Sequence, residues 1–160
     1  MEAVPVAQIE LVCNSPKQTA VVHGRLRLQD MPAFLGGAFE AVSASLHRRG
    51  LHVAGPPFAL YRGRPTEAVE VEAGFPVVEE VAPDGDVRPG TLPGGDAVET
   101  VHTGPYDTLG ETYGEMAAWM TRHGRAPADL SWESYLTDPD DTVHHPKGPQ
   151  TLVVWPVRQA

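Results

Sequence analysis

The chain has little cysteine, few basic residues and no long apolar run. Of its 160 residues only Cys13 is a cysteine, so no internal disulfide can form and a reducing, cytoplasmic setting is expected. No apolar run approaches the ~20 residues of a membrane-spanning helix. The first ten residues lack the basic and apolar regions of a secretion signal. Lys and Arg number 12 against 21 Asp and Glu and do not cluster, which disfavours direct nucleic-acid binding.

Arrangements typical of metal sites and activated nucleophiles are also missing. The chain has seven histidines, but His144 and His145 stand in an acidic loop without paired cysteines or an HExxH motif, so we predict no metal site. Ser131 and Ser134 lack the GxSxG context of a serine hydrolase. Cys13 lies in an apolar strand and is expected to be a small buried residue. We expect no cofactor.

The chain does contain an internal repeat. Residues 74 positions apart match along the chain, and the best-matched pairs are Tyr61 with Tyr135, Gly50 with Gly124, Leu35 with Leu109, Gly36 with Gly110 and Phe39 with Tyr113. The order of predicted elements repeats as well. We therefore divide a single domain, residues 1–160, into repeat one (about 8–81), a linker (about 82–95) and repeat two (about 96–160).

In the first repeat the pattern predicts strands, one helix and two further strands. The predicted strands span 8–13, 20–28, 58–61 and 69–77, the last from its alternation of apolar and polar residues. The predicted helix begins after Asp30, which can cap it, and ends at Gly50. Between them Leu35, Phe39, Val42 and Leu46 form an apolar stripe.

The second repeat follows the same order after a Pro- and Gly-rich linker. The linker, 82–95, is predicted not to hold regular structure for long. Strands are predicted at 96–102, 131–136 and 151–157, with a helix that ends at Gly124 and an exposed acidic loop at 138–149. Two strand-helix-strand-strand modules predict an α+β fold, an antiparallel sheet with both helices packed on one face. A pocket is expected on the other face or between the halves.

Glu133 is the strongest candidate for function. In the sequence WESYLTDP at 132–139, Glu133 and Tyr135 point to the same side of a strand, and the surrounding aromatic residues indicate that this side is buried. A buried carboxylate is unstable without a partner, and we expect a ligand rather than another residue. Without a cation, burial would raise the pKa of Glu133 and suit it to acid or base chemistry. The alternative is an exposed or arginine-paired carboxylate.

Aromatic residues are the natural companions of this carboxylate, because their ring faces attract organic cations. Tyr61 and Tyr135 are expected to face one cavity, although rings of this kind also form ordinary cores. Trp132 points away from Glu133 and is assigned to the core. Gly36 and Gly37 lie inside a helix, which indicates either close packing or room for a flat ligand. The predicted ligand-binding residues are Glu133, Tyr135, Tyr61, Phe58, Tyr106, Trp119, Phe39 and Trp155.

The motifs HTGPYDTLGETY at 102–113 and WESYLTDP at 132–139, with the strand TLVVWPV at 151–157, resemble those of the GyrI-like superfamily of small-molecule-binding domains. This superfamily includes the effector-binding domains of bacterial multidrug-responsive regulators. The resemblance implies two β-α-β-β modules related by a pseudo-twofold axis with a pocket between them. It also implies that Glu133 engages lipophilic cations and that Tyr135 is the tyrosine after it. Such regulators carry an upstream DNA-binding module. This chain has no room for one, so it is expected to be a stand-alone binding domain.

The resemblance leaves three functions open. The first is binding of hydrophobic, flat, often cationic small molecules, for sequestration or sensing. The second is hydrolysis of cyclopropane-bearing DNA-alkylating natural products, as some relatives perform, with Glu133 and Tyr135 or Tyr106 as catalytic residues. The third is inhibition of a protein, since the family name derives from a gyrase inhibitor. The natural ligand and any protein partner stay open.

Overall fold

The computed structural model describes residues 8–63, 68–137, 143 and 146–158. His144, His145 and most of the predicted acidic loop lie outside these residues. Regular structure in the described residues consists of strands β1 (Glu10–Asn14), β2 (Lys17–Leu26), β3 (Phe58–Arg62), β4 (Val69–Pro76), β5 (Val87–Leu92), β6 (Gly95–Thr103), β7 (Leu130–Tyr135) and β8 (Gln150–Pro156), helices α1 (Met31–Arg48) and α2 (Leu109–Arg122), and a short 3₁₀ turn before each helix.

The strands form one antiparallel sheet in the order β1-β6-β8-β7-β3-β4-β2-β5. The unit β2-α1-β3-β4 occupies one side of the sheet, and the unit β6-α2-β7-β8 occupies the other. They meet at the centre, where β3 pairs with β7 and Ala59 lies opposite Glu133. The predicted α+β fold of two β-α-β-β modules is therefore confirmed.

The outermost strands are exchanged between the modules. β1 directly precedes β2 but pairs with β6, and β5 directly precedes β6 but pairs with β2. The prediction that the 82–95 linker holds little regular structure is thus wrong, because it contains β5. Pro89 lies within that strand, and the outermost position tolerates a residue without an N–H group, since one side of the strand has no neighbour in the sheet.

Both helices pack on the same face of the sheet, which confirms that prediction. α1 covers Ala20 through Val42 and Leu46, and α2 covers Val98 and Val153 through its methionines. On the opposite face, residues from both sides of the sheet share one apolar cluster, which includes Phe58, Leu60, Leu92, Ala97, Trp132 and Val154. Trp132 is 5% exposed, as predicted for a core residue.

The C-terminal ends of the helices agree with the sequence prediction, whereas the predicted cap at the start of α1 does not. Gly50 and Gly124 each lie two residues beyond the last residue of α1 and α2 and have φ of +68°, a backbone conformation that glycine adopts without steric strain. Asp30 occupies the N-cap position of α1, but its side chain makes no capping hydrogen bond. Its prediction as a capping side chain is therefore wrong, since a 3₁₀ turn leads directly into the helix.

Cys13 was expected to be buried, and this is wrong as well. It lies on β1, an outer strand, and is exposed. Strand alternation explains the difference, because Val12 packs against the core cluster and the next side chain points away from it. No helix within the described residues is long and apolar enough to cross a membrane.

Candidate functional site

A cavity of about 1520 Å³ lies on the helix-bearing face of the sheet and receives residues from both modules. One wall is formed by α1, with Met31, Leu35, Gly36 and Phe39, and the opposite wall by α2, with Leu109, Gly110, Tyr113 and Ala117. Tyr61 of β3 and Glu133 and Tyr135 of β7 contribute from the sheet between them. The central strands therefore form the floor of a cleft between the two helices.

The Glu133 carboxylate sits on this floor and is 7% exposed. Tyr113 donates a hydrogen bond to Oε2 over 2.7 Å, and Tyr135 donates one to Oε1 over 3.0 Å. The expectation that a ligand rather than another residue would satisfy this carboxylate is thus corrected, because two tyrosine hydroxyls do so. No ion pair between described residues involves Glu133, so no described cationic side chain contacts its carboxylate, although His102 favours the ionised form through its charge.

Burial determines the acidity of Glu133. Loss of hydration raises the pKa of Glu133 above its ordinary value, and hydrogen bonds from Tyr113, Tyr135 and Tyr61 partly oppose that rise. A carboxyl group with a raised pKa can exchange protons nearer neutral pH than an exposed one. The floor of the cavity can therefore hold either a carboxylate ready for a cation or a carboxylic acid ready to donate a proton.

The tyrosines of the floor form a short chain that ends at the carboxylate. Tyr61 Oη lies 3.3 Å from Tyr135 Oη. Because the Tyr135 proton goes to Glu133, Tyr61 is the donor in this pair. Burial, and then the negative charge of Glu133, raise the pKa values of Tyr61 and Tyr113 far above that of a free phenol. These side chains therefore stay protonated and act as hydrogen-bond donors rather than as nucleophiles.

Aromatic rings surround the tyrosine chain at edge-to-face angles. The ring centroid of Tyr135 lies 6.0 Å from that of Phe39 and 5.7 Å from that of Tyr106. Tyr113 contacts Trp155 across 5.6 Å between centroids. Such arrangements are favourable between aromatic rings, and they give the cavity a wall of electron-rich faces that suits flat or cationic ligands.

Besides Glu133, the described cavity lining contains one pair of charged residues, and this pair is exposed. Arg158 donates a hydrogen bond to Asp129 over 3.0 Å, and the two side chains are 60% and 76% exposed. They are the other charged residues that line the cavity, so the described lining carries a formal charge of one negative unit when Glu133 is ionised.

Six of the eight predicted ligand-binding residues lie together in the cavity lining, and two do not. The six are Glu133, Tyr135, Tyr61, Tyr106, Phe39 and Trp155. Phe58 is 1% exposed and lies in the core on the opposite face, because its neighbour Ala59 packs with Met31 on the helix-bearing face and strand side chains alternate. Trp119 points away from the described lining and stacks on His123 at 3.8 Å. Both predictions are corrected on this geometry.

Tyr113 is the residue that sequence reasoning missed. The sequence names it only as the repeat counterpart of Phe39, yet it makes the shorter of the two described hydrogen bonds to Glu133. The signal was its place in the repeat, since it corresponds to Phe39, already predicted to bind ligand. A tyrosine among the apolar residues of a buried helix face needs a hydrogen-bond partner, and Glu133 is that partner.

The glycines inside the helices leave open space and do not serve close packing. A Cβ atom added at Gly36 would meet no atom within 4 Å, and the same holds at Gly110. Both residues line the cavity, one from each helix. Close packing of helix on sheet therefore does not explain them, and each leaves a bare stretch of helix facing the cleft.

A family model named GyrI-like small molecule binding domain matches residues 7–158. The chain belongs to this family. No curated protein sequence matches it. Membership in the GyrI-like family makes the chain a member of a family of small-molecule-binding domains.

Solved structures share the GyrI-like fold at low sequence identity. The C-terminal domain of EcmrR is 18% identical with a TM-score of 0.83, over 98% of this chain and 100% of that domain. A hydrolase encoded by lin2189 from Listeria innocua is 15% identical with a TM-score of 0.67, over 94% and 92%. SAV2435 bound to tetraphenylphosphonium is 9% identical with a TM-score of 0.62, over 94% of each chain.

Proposed function

We propose that the protein binds flat, lipophilic organic cations in the cavity between its modules, with Glu133 as the charge-recognising group. The observation that carries the proposal is a carboxylate, 7% exposed and in no described ion pair, at the floor of a mostly apolar cavity. A bound cation would supply the missing opposite charge and lower the pKa of Glu133.

The walls supply the remaining affinity in this proposal. Aromatic faces can contribute as much as about 2 kcal/mol to the binding of a desolvated cation. The apolar side chains of α1 would bury the hydrophobic surface of the ligand away from water. Stacking and one charge demand little of a ligand's shape, so a range of compounds is expected to bind. The structural neighbour that holds tetraphenylphosphonium supports a lipophilic organic cation as the ligand.

A fluorescence titration with matched dyes tests the proposal. Trp155 lines the cavity, so its emission should change as a planar cationic dye or its neutral isostere binds. Glu133→Gln should weaken the cationic dye at least about tenfold, the order of one desolvated charge contact, and barely affect the neutral one. Asp129→Asn is the matched control, because it removes the other carboxylate of the lining where it is exposed. Equal losses for both dyes in Glu133→Gln would refute charge recognition.

A second candidate is hydrolysis of a strained cyclopropane ring, with Glu133 as general base and Tyr135 as proton donor. The chain of tyrosine donors ending at a carboxylate with a raised pKa supports it, as does the neighbour described as a hydrolase. In this reaction Glu133 takes a proton from water, the oxygen bonds to a ring carbon, and the ring C–C bond breaks. The released electron pair passes into the substrate's acceptor group, which Tyr135 protonates, and Glu133 restores the Tyr135 proton.

Mass spectrometry of the same titrations separates the two candidates. Hydrolysis adds one water to a cyclopropane-bearing compound, and the product should accumulate beyond one equivalent of protein with wild type but not with Glu133→Gln. Protection of the compound in a one-to-one complex, with its mass unchanged, would leave binding as the function.

A further inference from the structure

His102 is a buried imidazole near the end of β6, 9% exposed, with both ring nitrogens engaged. Nδ1 lies 2.7 Å from Thr112 Oγ1 in α2. Nε2 lies 3.0 Å from the Pro105 carbonyl oxygen and 3.0 Å from Thr108 Oγ1. One ring therefore connects the sheet, the turn that follows β6, and the second helix.

The partners fix where the ring carries its proton. A carbonyl oxygen only accepts hydrogen bonds, so Nε2 must be the donor toward Pro105. Thr108 donates its own hydroxyl proton to the same carbonyl over 2.8 Å, which leaves an oxygen lone pair free for Nε2. In the tautomer that carries its proton on Nε2, Nδ1 accepts a hydrogen bond from the Thr112 hydroxyl. The two nitrogens thus hold different parts of the structure, Nε2 the turn and Nδ1 the helix.

The turn held by Nε2 carries a wall of the cavity. Gly104 has φ of +136°, a conformation that favours glycine, and its N–H donates to the Pro149 carbonyl over 2.9 Å. The chain then passes through Pro105 to Tyr106, which lines the cavity. The Tyr106 ring lies 5.7 Å from that of Tyr135, the residue that bonds Glu133.

We propose that His102 is a positioning residue of the ligand site, which sets Tyr106 against Tyr135 through the Nε2–Pro105 hydrogen bond. Its contribution to ligand affinity rests on the proposed function, whereas its control of Tyr106 does not. His102 does not line the cavity and contacts no ligand. It acts through the backbone of the turn, and the Nδ1–Thr112 bond serves helix placement instead.

Two amide substitutions separate the nitrogens. A Gln amide nitrogen reaches the place of Nε2 and can still donate to Pro105, whereas an Asn amide reaches only the place of Nδ1. His102→Gln therefore keeps the turn contact, and His102→Asn keeps the helix contact. Each variant loses one hydrogen bond, so thermal unfolding should change by a similar amount in both, and a purely structural role for His102 would make them equivalent in every other assay.

The first readout is the position of Tyr106 without ligand. With 3-fluorotyrosine in place of the four tyrosines, the ¹⁹F resonance of Tyr106, assigned through Tyr106→Phe, should move or broaden in His102→Asn and stay in place in His102→Gln. Identical Tyr106 resonances in the two variants would overturn the proposal. If a variant fails to fold, Thr112→Val replaces the comparison, because it removes only the Nδ1 partner and should leave the resonance unchanged; a displaced resonance there would also overturn it.

The second readout is affinity for the planar cationic dye. His102→Asn should bind it about fivefold more weakly, the effect of one misplaced aromatic contact, and His102→Gln within twofold of wild type. If wild type binds no dye, the proposed function fails while the fluorine spectra still decide the role of His102. If wild type binds but the two variants bind equally, the affinity role fails and the proposed function stands.

Discussion

Tyr113 of α2 and Glu133 of β7 are joined by a 2.7 Å hydrogen bond that ties the helix to the floor of the cavity. The corresponding residue of the first repeat is Phe39 of α1, which has no hydroxyl, and the residue corresponding to Glu133 is Ala59, which has no charge. The pseudo-twofold repeat thus supplies two similar walls, and these differences place the carboxylate and the Tyr113 hydroxyl that bonds it in the second module.

Replacing Tyr113 with phenylalanine should weaken cation binding through Glu133. The hydroxyl of Tyr113 lowers the pKa of Glu133, so its loss raises that pKa further and keeps more of the carboxyl group protonated at a given pH. We expect a loss of about 1.5–3 kcal/mol in the free energy of binding, the range for a hydrogen bond to a charged group. Dye affinity measured across pH should show its midpoint displaced upward.

Tyr61→Phe is the matched control for this change. It removes a hydroxyl from the same floor, one that lies 3.3 Å from Tyr135 Oη and lowers the pKa of Glu133 less than the Tyr113 hydroxyl does. Its midpoint should move less than that of Tyr113→Phe. If the pH midpoint moved as far in Tyr61→Phe as in Tyr113→Phe, the tyrosine chain would act on Glu133 as a unit and not mainly through the Tyr113 contact.

Glu133→Gln should make the protein more stable at neutral pH. The pKa of Glu133 is raised in the folded state above its ordinary value of 4.5, so the folded chain holds this proton more tightly than the unfolded chain. Between the unfolded and folded pKa values, the contribution of Glu133 to stability falls as pH rises. Urea unfolding of both proteins should therefore give a difference that grows above pH ~4.5 and then levels off. A difference independent of pH would contradict the burial of the charge.

Binding of a cation should release protons from Glu133. A cation lowers the raised pKa of Glu133 toward or below its ordinary value, so protein that is partly protonated without ligand loses that proton on binding. Affinity should accordingly increase with pH until Glu133 is fully ionised in the free protein. Calorimetric titrations in buffers of different ionisation enthalpy measure the released protons. Glu133→Gln provides the blank, and proton uptake by wild type would contradict this direction.

The fold was predictable because its signals are local and repeated. Alternation at 69–77 predicted β4, and glycines 74 residues apart predicted both helix ends. β5 was missed because Pro and Gly argue against a strand when read locally. Its pairing partner β2 lies some 70 residues earlier in the sequence, so only the exchange of outer strands explains why it is ordered as a strand.

The site was predictable where a single strand determined it. Spacing of two along β7 was enough to place Glu133 and Tyr135 on one face. Phe58 was misplaced because the phase of β3 depends on which of its faces meets the helices, and alternating residues there are apolar on both sides. The Tyr113 contact joins α2 to β7, and no local pattern reports a distance between a helix and a strand.

Substitutions at Gly36 should separate helix stability from cavity space. A Cβ at this position meets no atom within 4 Å, so Gly36→Ala should stabilise α1 by about 1 kcal/mol, which corresponds to about 2–4 °C in the melting temperature. Gly36→Leu projects into the cavity and should exclude large planar dyes while leaving small cations such as tetramethylammonium bound. Gly37→Leu is the matched control, because Gly37 is equally open but does not line the cavity. Calorimetric titration with both ligand sizes gives the comparison, and equal losses for Gly36→Leu and Gly37→Leu would mean that the bare helix face does not admit the ligand.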